Sequence, residues 1–202
     1  VTIEALPSAS ITAGANATIC EDATATITAT PVNATATSWA LLSGPGSVNT
    51  GANNTTTYTG GGPATAGTSV VEITVTSDNS CGAATAVATT TVTTEALPAV
   101  SITTGNNQTI CEDATATITA TPVNATATSW AILSGNGTVI TAGNNATTYT
   151  GGGAGTAGSA TMEITVTSDN SCGTATAVAT ASVTTEALPS VSITAGAVSY
   201  TH

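Results

Sequence analysis

Hydrophobic and polar residues alternate along most of this chain with a period of two. Between Ala23 and Thr30, alanine and isoleucine occupy one set of alternate positions and threonine occupies the other. The same alternation runs from Val70 to Thr76, with three aliphatic side chains on one face. Because successive side chains of a strand point to opposite faces of a sheet, this period predicts half-buried β-strands. A helix is not supported, since alanine alternates here with threonine rather than with leucine, glutamate or lysine.

Turn-forming sequences rich in Gly, Pro, Asn and Ser separate the predicted strands, at residues 43–46, 51–54, 60–63 and 77–80. About seven short strands in about 90 residues, with a tryptophan on the third, are typical of an immunoglobulin-like (Ig-like) β-sandwich. We therefore predict an all-β chain. The aromatic residues expected in its core are Trp39, Tyr58, Trp130 and Tyr149.

The chain repeats itself with a period of 91 residues and without a gap. For example, Cys20-Glu21-Asp22 returns as Cys111-Glu112-Asp113. A repeat of this length is a domain in itself, which favours domains in series, arranged as an extended fibre, over a solenoid. The register predicts the end of a preceding repeat at 1–3, Ig-like repeats at 4–94 and 95–185, and the start of a third repeat or a donated strand at 186–202.

The charge composition excludes several functions. The chain has no Lys or Arg, 11 Asp and Glu, and a formal net charge of −11. A chain without cations cannot neutralise phosphates or an anionic lipid surface, so we expect it to bind neither nucleic acid nor membranes. No apolar run approaches the roughly 18 residues that span a bilayer. The single histidine, His202, is terminal, so Ser-His-Asp and Cys-His catalysis have no base, and we predict that the protein is not an enzyme.

Four cysteines in this composition favour disulfides and an oxidising, extracellular compartment. Two pairings remain open. Small domains usually pair their own cysteines, which favours Cys20–Cys81 and Cys111–Cys172. Strict Ig-like strand directions place Cys20 and Cys81 at opposite poles, and they favour Cys20–Cys172, with Cys81 and Cys111 bonding to flanking repeats.

Acidic residues near the cysteines are candidates for a weak calcium site. They would cluster if the within-repeat disulfides form, and Ca²⁺ takes six to eight oxygen ligands from such groups. A disulfide between repeats would bring acids of neighbouring repeats together instead. The alternative interpretation is solvated turn acids that give solubility. The residues are Glu21, Asp22 and Asp78 in the first repeat and Glu112, Asp113 and Asp169 in the second.

The combined spacing of Cys, Trp, Tyr and Cys-Gly resembles the PKD-like and Ig-like repeats of giant Bacteroidetes cell-surface proteins, which include gliding-motility adhesins and other cargo of the type IX secretion system. The matching motifs are Thr18-Ile19-Cys20-Glu21-Asp22, Trp39, Gly44-x-Gly46, Tyr58-Thr59-x-Gly61 and Asn79-Ser80-Cys81-Gly82. The resemblance implies tandem PKD-like sandwiches in an extracellular stalk or adhesin, without catalysis or a required cofactor. The chain departs from it in lacking Lys and Arg and in its extreme Thr and Ala content.

Three functions follow from these observations. The first is a non-catalytic structural and adhesive stalk whose partners are neighbouring repeats or copies of itself, with a glycan or protein ligand elsewhere in the parent chain. The second is a pilin-like subunit that polymerises by β-strand donation. The third is a carbohydrate- or ice-binding module. It would use exposed threonine rows, or exposed aromatics such as Tyr200; the rows are Thr24/Thr26/Thr28 and Thr89/Thr91/Thr93.

Overall fold

The computed structural model describes residues 3–63, 65–77, 80, 83–141, 143–194 and 196. Of the residues named individually above, those outside the described residues are Asp78, Asn79, Cys81, Gly82, Tyr200 and His202. Every regular element in the described part of the chain is a β-strand, so the all-β prediction is confirmed. Within the same residues, no helix is long and apolar enough to cross a membrane.

The first eight strands cover residues 8–95. They are β1 (Ser8–Ala13), β2 (Ala17–Cys20), β3 (Thr24–Val32), β4 (Ala34–Ser43), β5 (Ser47–Val48), β6 (Thr55–Thr59), β7 (Gly67–Ser77) and β8 (Thr85–Glu95). One sheet has the order β1-β3-β6-β5 and the other has the order β2-β8-β7-β4. Apart from a parallel β2–β8 pair, the described pairings of these strands are antiparallel.

The next eight strands repeat this arrangement over residues 99–186. They are β9 (Ala99–Thr104), β10 (Gln108–Cys111), β11 (Thr115–Val123), β12 (Ala125–Ser134), β13 (Thr138–Val139), β14 (Ala146–Thr150), β15 (Gly158–Ser168) and β16 (Thr176–Glu186). Their sheets have the orders β13-β14-β11-β9 and β10-β16-β15-β12, again with a parallel pair, β10–β16.

Eight strands are described in each repeat, rather than about seven, because the first strand is divided in two. Between β1 and β2 the chain crosses from one sheet to the other, and Gly14 and Asn16 have φ of 73° and 53°. Glycine and asparagine accept this left-handed conformation more readily than other residues. At Gly14 a Cβ atom would lie 2.2 Å from the carbonyl oxygen of Thr26, so the crossing also requires the absence of a side chain.

The core of the first repeat lies between its two sheets and is formed by the aliphatic and aromatic face of each alternating strand. Val71, Ile73 and Val75 are fully buried, whereas Glu72 and Thr74, which lie between them, are half-buried. Burying one such aliphatic side chain contributes about 1.5–3 kcal/mol. The buried cluster consists of Ile27, Ala29, Trp39, Tyr58, Val71, Ile73, Val75 and Val92.

The chain divides into two compact units that do not coincide with the sequence repeats. Unit 1 comprises Val1–Ala99, Val123–Thr126 and Val166–Ala177, and unit 2 comprises Val100–Pro122, Ala127–Thr165 and Val178–His202. Two segments of the second repeat, around the β11–β12 and β15–β16 turns, therefore belong to unit 1.

Candidate functional site

A disulfide within unit 1 joins Cys20 to Cys172, and the Cα atoms of the two residues are 5.5 Å apart. The within-repeat pairing of Cys20 with Cys81 and of Cys111 with Cys172 is therefore wrong. The bond present is the one that Ig-like strand directions favour. Cys111 is exposed and not disulfide-bonded.

The strand directions explain why Cys20 does not pair within its own repeat. Cys20 is aligned with Glu95, at the C-terminal end of β8. The β7–β8 turn follows Ser77 and precedes Thr85, at the N-terminal end of β8. The 11 residues of β8 extend over about 36 Å, whereas a disulfide requires Cα atoms within about 7 Å.

The turn that carries Cys172 is held against residues 95–96 by polar contacts. The side-chain amide of Asn170 donates a hydrogen bond to the carbonyl oxygen of Ala96 at 2.8 Å. The Cys172 sulfur lies 3.7 Å from the carbonyl oxygen of Glu95. These contacts fix the sulfur of Cys172 beside the end of β8, where Cys20 also lies.

The same serine–glutamate contact occurs in both repeats. The backbone amide of Ser171 donates to Glu95 Oε2 at 2.8 Å, and that of Ser80 donates to Glu4 Oε2 at 2.7 Å. The local sequence around these four residues does not predict the contact. The repeated spacing of 76 residues between the glutamate and the serine is the signal by which they could have been found.

A buried glutamate follows the first cysteine of each repeat. Glu21 is 7% exposed and Glu112 is 5% exposed. Glu21 Oε1 accepts a hydrogen bond from the amide of Leu97 at 2.9 Å, and Glu112 Oε1 accepts one from the amide of Leu188 at 2.7 Å. Each carboxylate thus fixes the Glu-Ala-Leu-Pro segment that follows its repeat, a role that the interpretation as solvated turn acids missed.

The calcium prediction is not supported by the positions of the described acids. In the described part of the chain, no three His, Cys, Asp or Glu side chains gather in a group able to hold a metal ion. Asp22, Asp113 and Asp169 are exposed, and Asp78 lies outside the described residues. The predicted clusters depended on within-repeat disulfides, and Cys20 and Cys172 are bonded to each other instead.

The four predicted core aromatics are buried. The indole nitrogen of Trp39 donates to the carbonyl oxygen of Asn53 at 2.7 Å, and that of Trp130 donates to Asn144 at 2.9 Å. Since a buried N–H without an acceptor is costly, these bonds allow each indole to lie fully within the core. The exposed fractions are 2% for Trp39, 0% for Tyr58, 1% for Trp130 and 1% for Tyr149.

The hydroxyl of Tyr58 is the centre of a buried polar network. It donates to the carbonyl oxygen of Pro45 at 2.5 Å, and it lies 2.8 Å from Ser69 Oγ and 3.1 Å from Thr94 Oγ1. Ser69 is fully buried. Sequence reasoning missed Ser69 because an isolated serine before an alternating strand does not predict burial.

The threonine rows differ in their surroundings. Thr24, Thr26 and Thr28 are on the outer face of β3, and this sheet face carries hydroxyls on three neighbouring strands and no charge. The other outward hydroxyl residues on β1 and β6 are Ser8, Ser10, Thr12, Thr55, Thr57 and Thr59. The second row, Thr89, Thr91 and Thr93, is on the outer face of β8, where Glu72 of β7 is the direct neighbour of Thr89.

No protein-family model and no curated protein matches the chain. Among solved structures, a fragment of the titin I-band is similar to it, with a TM-score of 0.54 and 12% identity over 92% of this chain and 66% of the fragment. Extracellular domains 3–5 of Drosophila OTK match with a TM-score of 0.45 and 18% identity, over 90% of this chain and 62% of that one. The chain thus spans slightly under two thirds of both. The titin match, together with the strand order, shows the fold: this is an all-β protein of the Ig-like class.

Proposed function

We propose that the chain is a non-catalytic, extracellular structural and adhesive segment that forms part of the stalk of a long cell-surface adhesin or filament. The observation that carries this proposal is the disulfide between Cys20 and Cys172. Cys172 is the second-repeat copy of Cys81, so the bond joins the first cysteine of one repeat to the second cysteine of the next. A bond of this kind links successive repeats of a tandem array.

The proposed repeats are tandem PKD-like sandwiches at 4–94 and 95–185, with 1–3 and 186–202 belonging to flanking repeats. The 91-residue duplication of Cys20-Glu21-Asp22 and of the eight-strand order supports these boundaries. The resemblance to repeats of Bacteroidetes surface proteins supports an extracellular stalk, as does the disulfide, because disulfides persist in oxidising compartments. A net charge of −11 would keep neighbouring stalks apart.

Cys111 is proposed to bond to a following repeat in the way that Cys20 bonds to Cys172, and Cys81 to bond to a preceding one. Cys111 is aligned with Glu186 in the parallel β10–β16 pair, as Cys20 is aligned with Glu95. The amide of Glu112 donates to Glu186 at 2.8 Å, which repeats the bond from Glu21 to Glu95 at 2.8 Å. The backbone contacts around Cys20 and Cys111 are therefore alike.

The intact mass of the polypeptide from its native surface, fully reduced and denatured, tests the proposal. We expect hundreds of kilodaltons, because the repeats would be one part of a very long chain. A mass near 19 kDa would contradict a single-chain stalk. That result would support the pilin-like alternative, in which a segment such as 190–194, with Val191 91% and Ile193 93% exposed, completes the sheet of a neighbour as an added strand.

The hydroxyl face on β1, β3 and β6 favours ice binding as a second candidate function. Its hydroxyls repeat about every 6.6 Å along a strand and about every 4.8 Å between strands, without interruption by charge. Inhibition of ice recrystallisation by the chain tests this candidate. Thr26→Lys should abolish the inhibition, whereas Ser38→Lys, exposed on β4 of the opposite sheet, should leave it intact; equal inhibition by both variants would contradict it.

A further inference from the structure

A pocket of about 410 Å³ opens in unit 1 beside residues 96–99. Two carboxylate residues, Glu21 and Asp22, and the amide residue Asn124 provide its polar lining. The other lining residues are prolines, alanines, a leucine and a valine. The lining of the pocket therefore combines two acidic residues with mostly apolar ones.

Glu21, one of the residues that line this pocket, has a carboxylate oxygen without a hydrogen-bond partner. The side chain is 7% exposed, and Oε1 accepts the Leu97 amide. Oε2 is buried and has no hydrogen-bond partner. A buried carboxylate oxygen without a donor is costly, and such groups are normally paired with a cation or a hydrogen-bond donor. This chain has no Lys or Arg, so a lysine or arginine partner must come from another molecule.

In the second repeat, the carboxylate oxygen that corresponds to Glu21 Oε2 has a hydrogen-bond donor from the chain itself. Glu112 Oε2 accepts a hydrogen bond from the amide of Gly155 at 2.6 Å. Gly155 has a φ of 80°, a conformation that a Cβ atom disfavours. The corresponding residue of the first repeat is Ala64, which lies outside the described residues. The second repeat thus has a glycine whose backbone amide is the donor, and the first repeat has an alanine in its place.

We propose that the pocket binds the side chain of a lysine from a partner protein. The ammonium group would donate to Glu21 Oε2 and to the carboxylate of Asp22, and the four-carbon stem would contact the apolar walls. A calcium ion fits less well, because three polar side chains line the pocket and calcium requires six to eight oxygen ligands. This proposal does not depend on the stalk function.

Titration of the ¹⁵N-labelled chain with the peptide acetyl-Gly-Lys-Gly-amide, followed by amide chemical shifts, tests the proposal. We expect saturable shifts at Asp22 and Leu97 that weaken with added salt. The matching norleucine peptide has the same stem without the charge and should produce none. Glu21→Gln keeps an oxygen for the Leu97 amide but removes the charge, and should weaken binding by about tenfold. Glu112→Gln is the matched control and should leave the affinity unchanged.

Three results would overturn the proposal: equal binding of the norleucine peptide, unchanged affinity in folded Glu21→Gln, or no saturable shift up to about 20 mM peptide. If Glu21→Gln does not fold, Asp22→Asn replaces it. Asparagine accepts the left-handed φ of 64° at this position, and the variant should bind about threefold more weakly; unchanged affinity would overturn the proposal. Saturable shifts of the same amides by calcium chloride at lower concentrations than the peptide would identify a metal site instead.

Discussion

The two repeats have the same strand order but satisfy their buried hydroxyls differently. In the first repeat the Tyr58 hydroxyl lies within hydrogen-bond distance of Ser69 Oγ. In the second, Ala160 occupies the position of Ser69, and the Tyr149 hydroxyl keeps the equivalents of the other two contacts of Tyr58, to the carbonyl oxygen of Asn136 at 2.6 Å and to Thr185 Oγ1 at 3.4 Å. The strand order tolerates either arrangement, so each repeat serves as a natural variant of the other.

The cysteines differ more sharply than the tyrosines. Cys20 is half-buried and bonded to Cys172, whereas Cys111 is exposed and not disulfide-bonded. The local backbone contacts of Cys20 and Cys111 are nevertheless alike, since Ala23 and Ala114 each donate to the preceding cysteine carbonyl at 3.1 Å. A substitution at equivalent positions therefore separates the effect of the bond from the effect of the local structure.

The largest expected effect is that of Cys20→Ser. Removing the disulfide should lower the free energy of unfolding by about 2–4 kcal/mol, because the unfolded chain is then no longer closed into a long loop. Urea unfolding followed by tryptophan fluorescence under non-reducing conditions measures the change. Cys111→Ser is the control and should change the stability by less than about 0.5 kcal/mol. Equal losses in the two variants would contradict a stabilising role of the bond.

Gly155→Ala should have an intermediate effect. A Cβ atom at position 155 meets no neighbour within 4 Å, so the cost of about 1–2 kcal/mol comes from the left-handed φ. Faster hydrogen exchange of the Leu188 amide would report loosening of the Glu112 contact. Gly62, in the corresponding turn of the first repeat, does not have a left-handed φ, and a Cβ atom there would meet no neighbour within 4 Å. Gly62→Ala should therefore leave the free energy of unfolding nearly unchanged. A neutral Gly155→Ala would show that the turn does not require glycine.

The smallest expected effect is the difference in cost between removing the hydroxyls of the two tyrosines. Tyr58→Phe should cost about 1–2 kcal/mol, because it removes a hydroxyl from a buried network, and Tyr149→Phe should cost about 1 kcal/mol. In a Ser69→Ala background, which imitates the second repeat, the cost of Tyr58→Phe should fall to that of Tyr149→Phe. A double-mutant cycle of unfolding free energies measures this coupling. Additive costs would show that the two hydroxyls do not interact.

The alternating pattern was sufficient to predict the strands and their inward faces. Ile27 and Ala29 are buried between outward threonines, as the period of two predicts for β3. The period of two does not specify the direction in which a strand runs. The disulfide pairing depends on that direction, because Cys20 is aligned with one end of β8 and the β7–β8 turn adjoins the other end. For that reason the pairing could be narrowed to two possibilities but not decided.

Buried polar residues were the part of the site that sequence could not predict. Glu21 is followed by Asp22 in a turn, which is typical of solvated acids, yet Glu21 is buried and Asp22 is exposed. The difference arises because the partner of Glu21, the Leu97 amide, is 76 residues away in sequence. A contact of that separation depends on the fold and not on the local pattern.

The parallel β2–β8 pair has a mechanical consequence for a single repeat. If a repeat is pulled at its two ends, β2 and β8 are drawn along their length in opposite directions. The four pairs from Ala17–Val92 to Cys20–Glu95 then bear the load together in shear, whereas an antiparallel hairpin pulled at its open end unzips one pair at a time. Because the chain crosses between the sheets at Gly14, β2 lies beside β8. The crossing therefore places a strand pair that resists extension at the start of the first repeat.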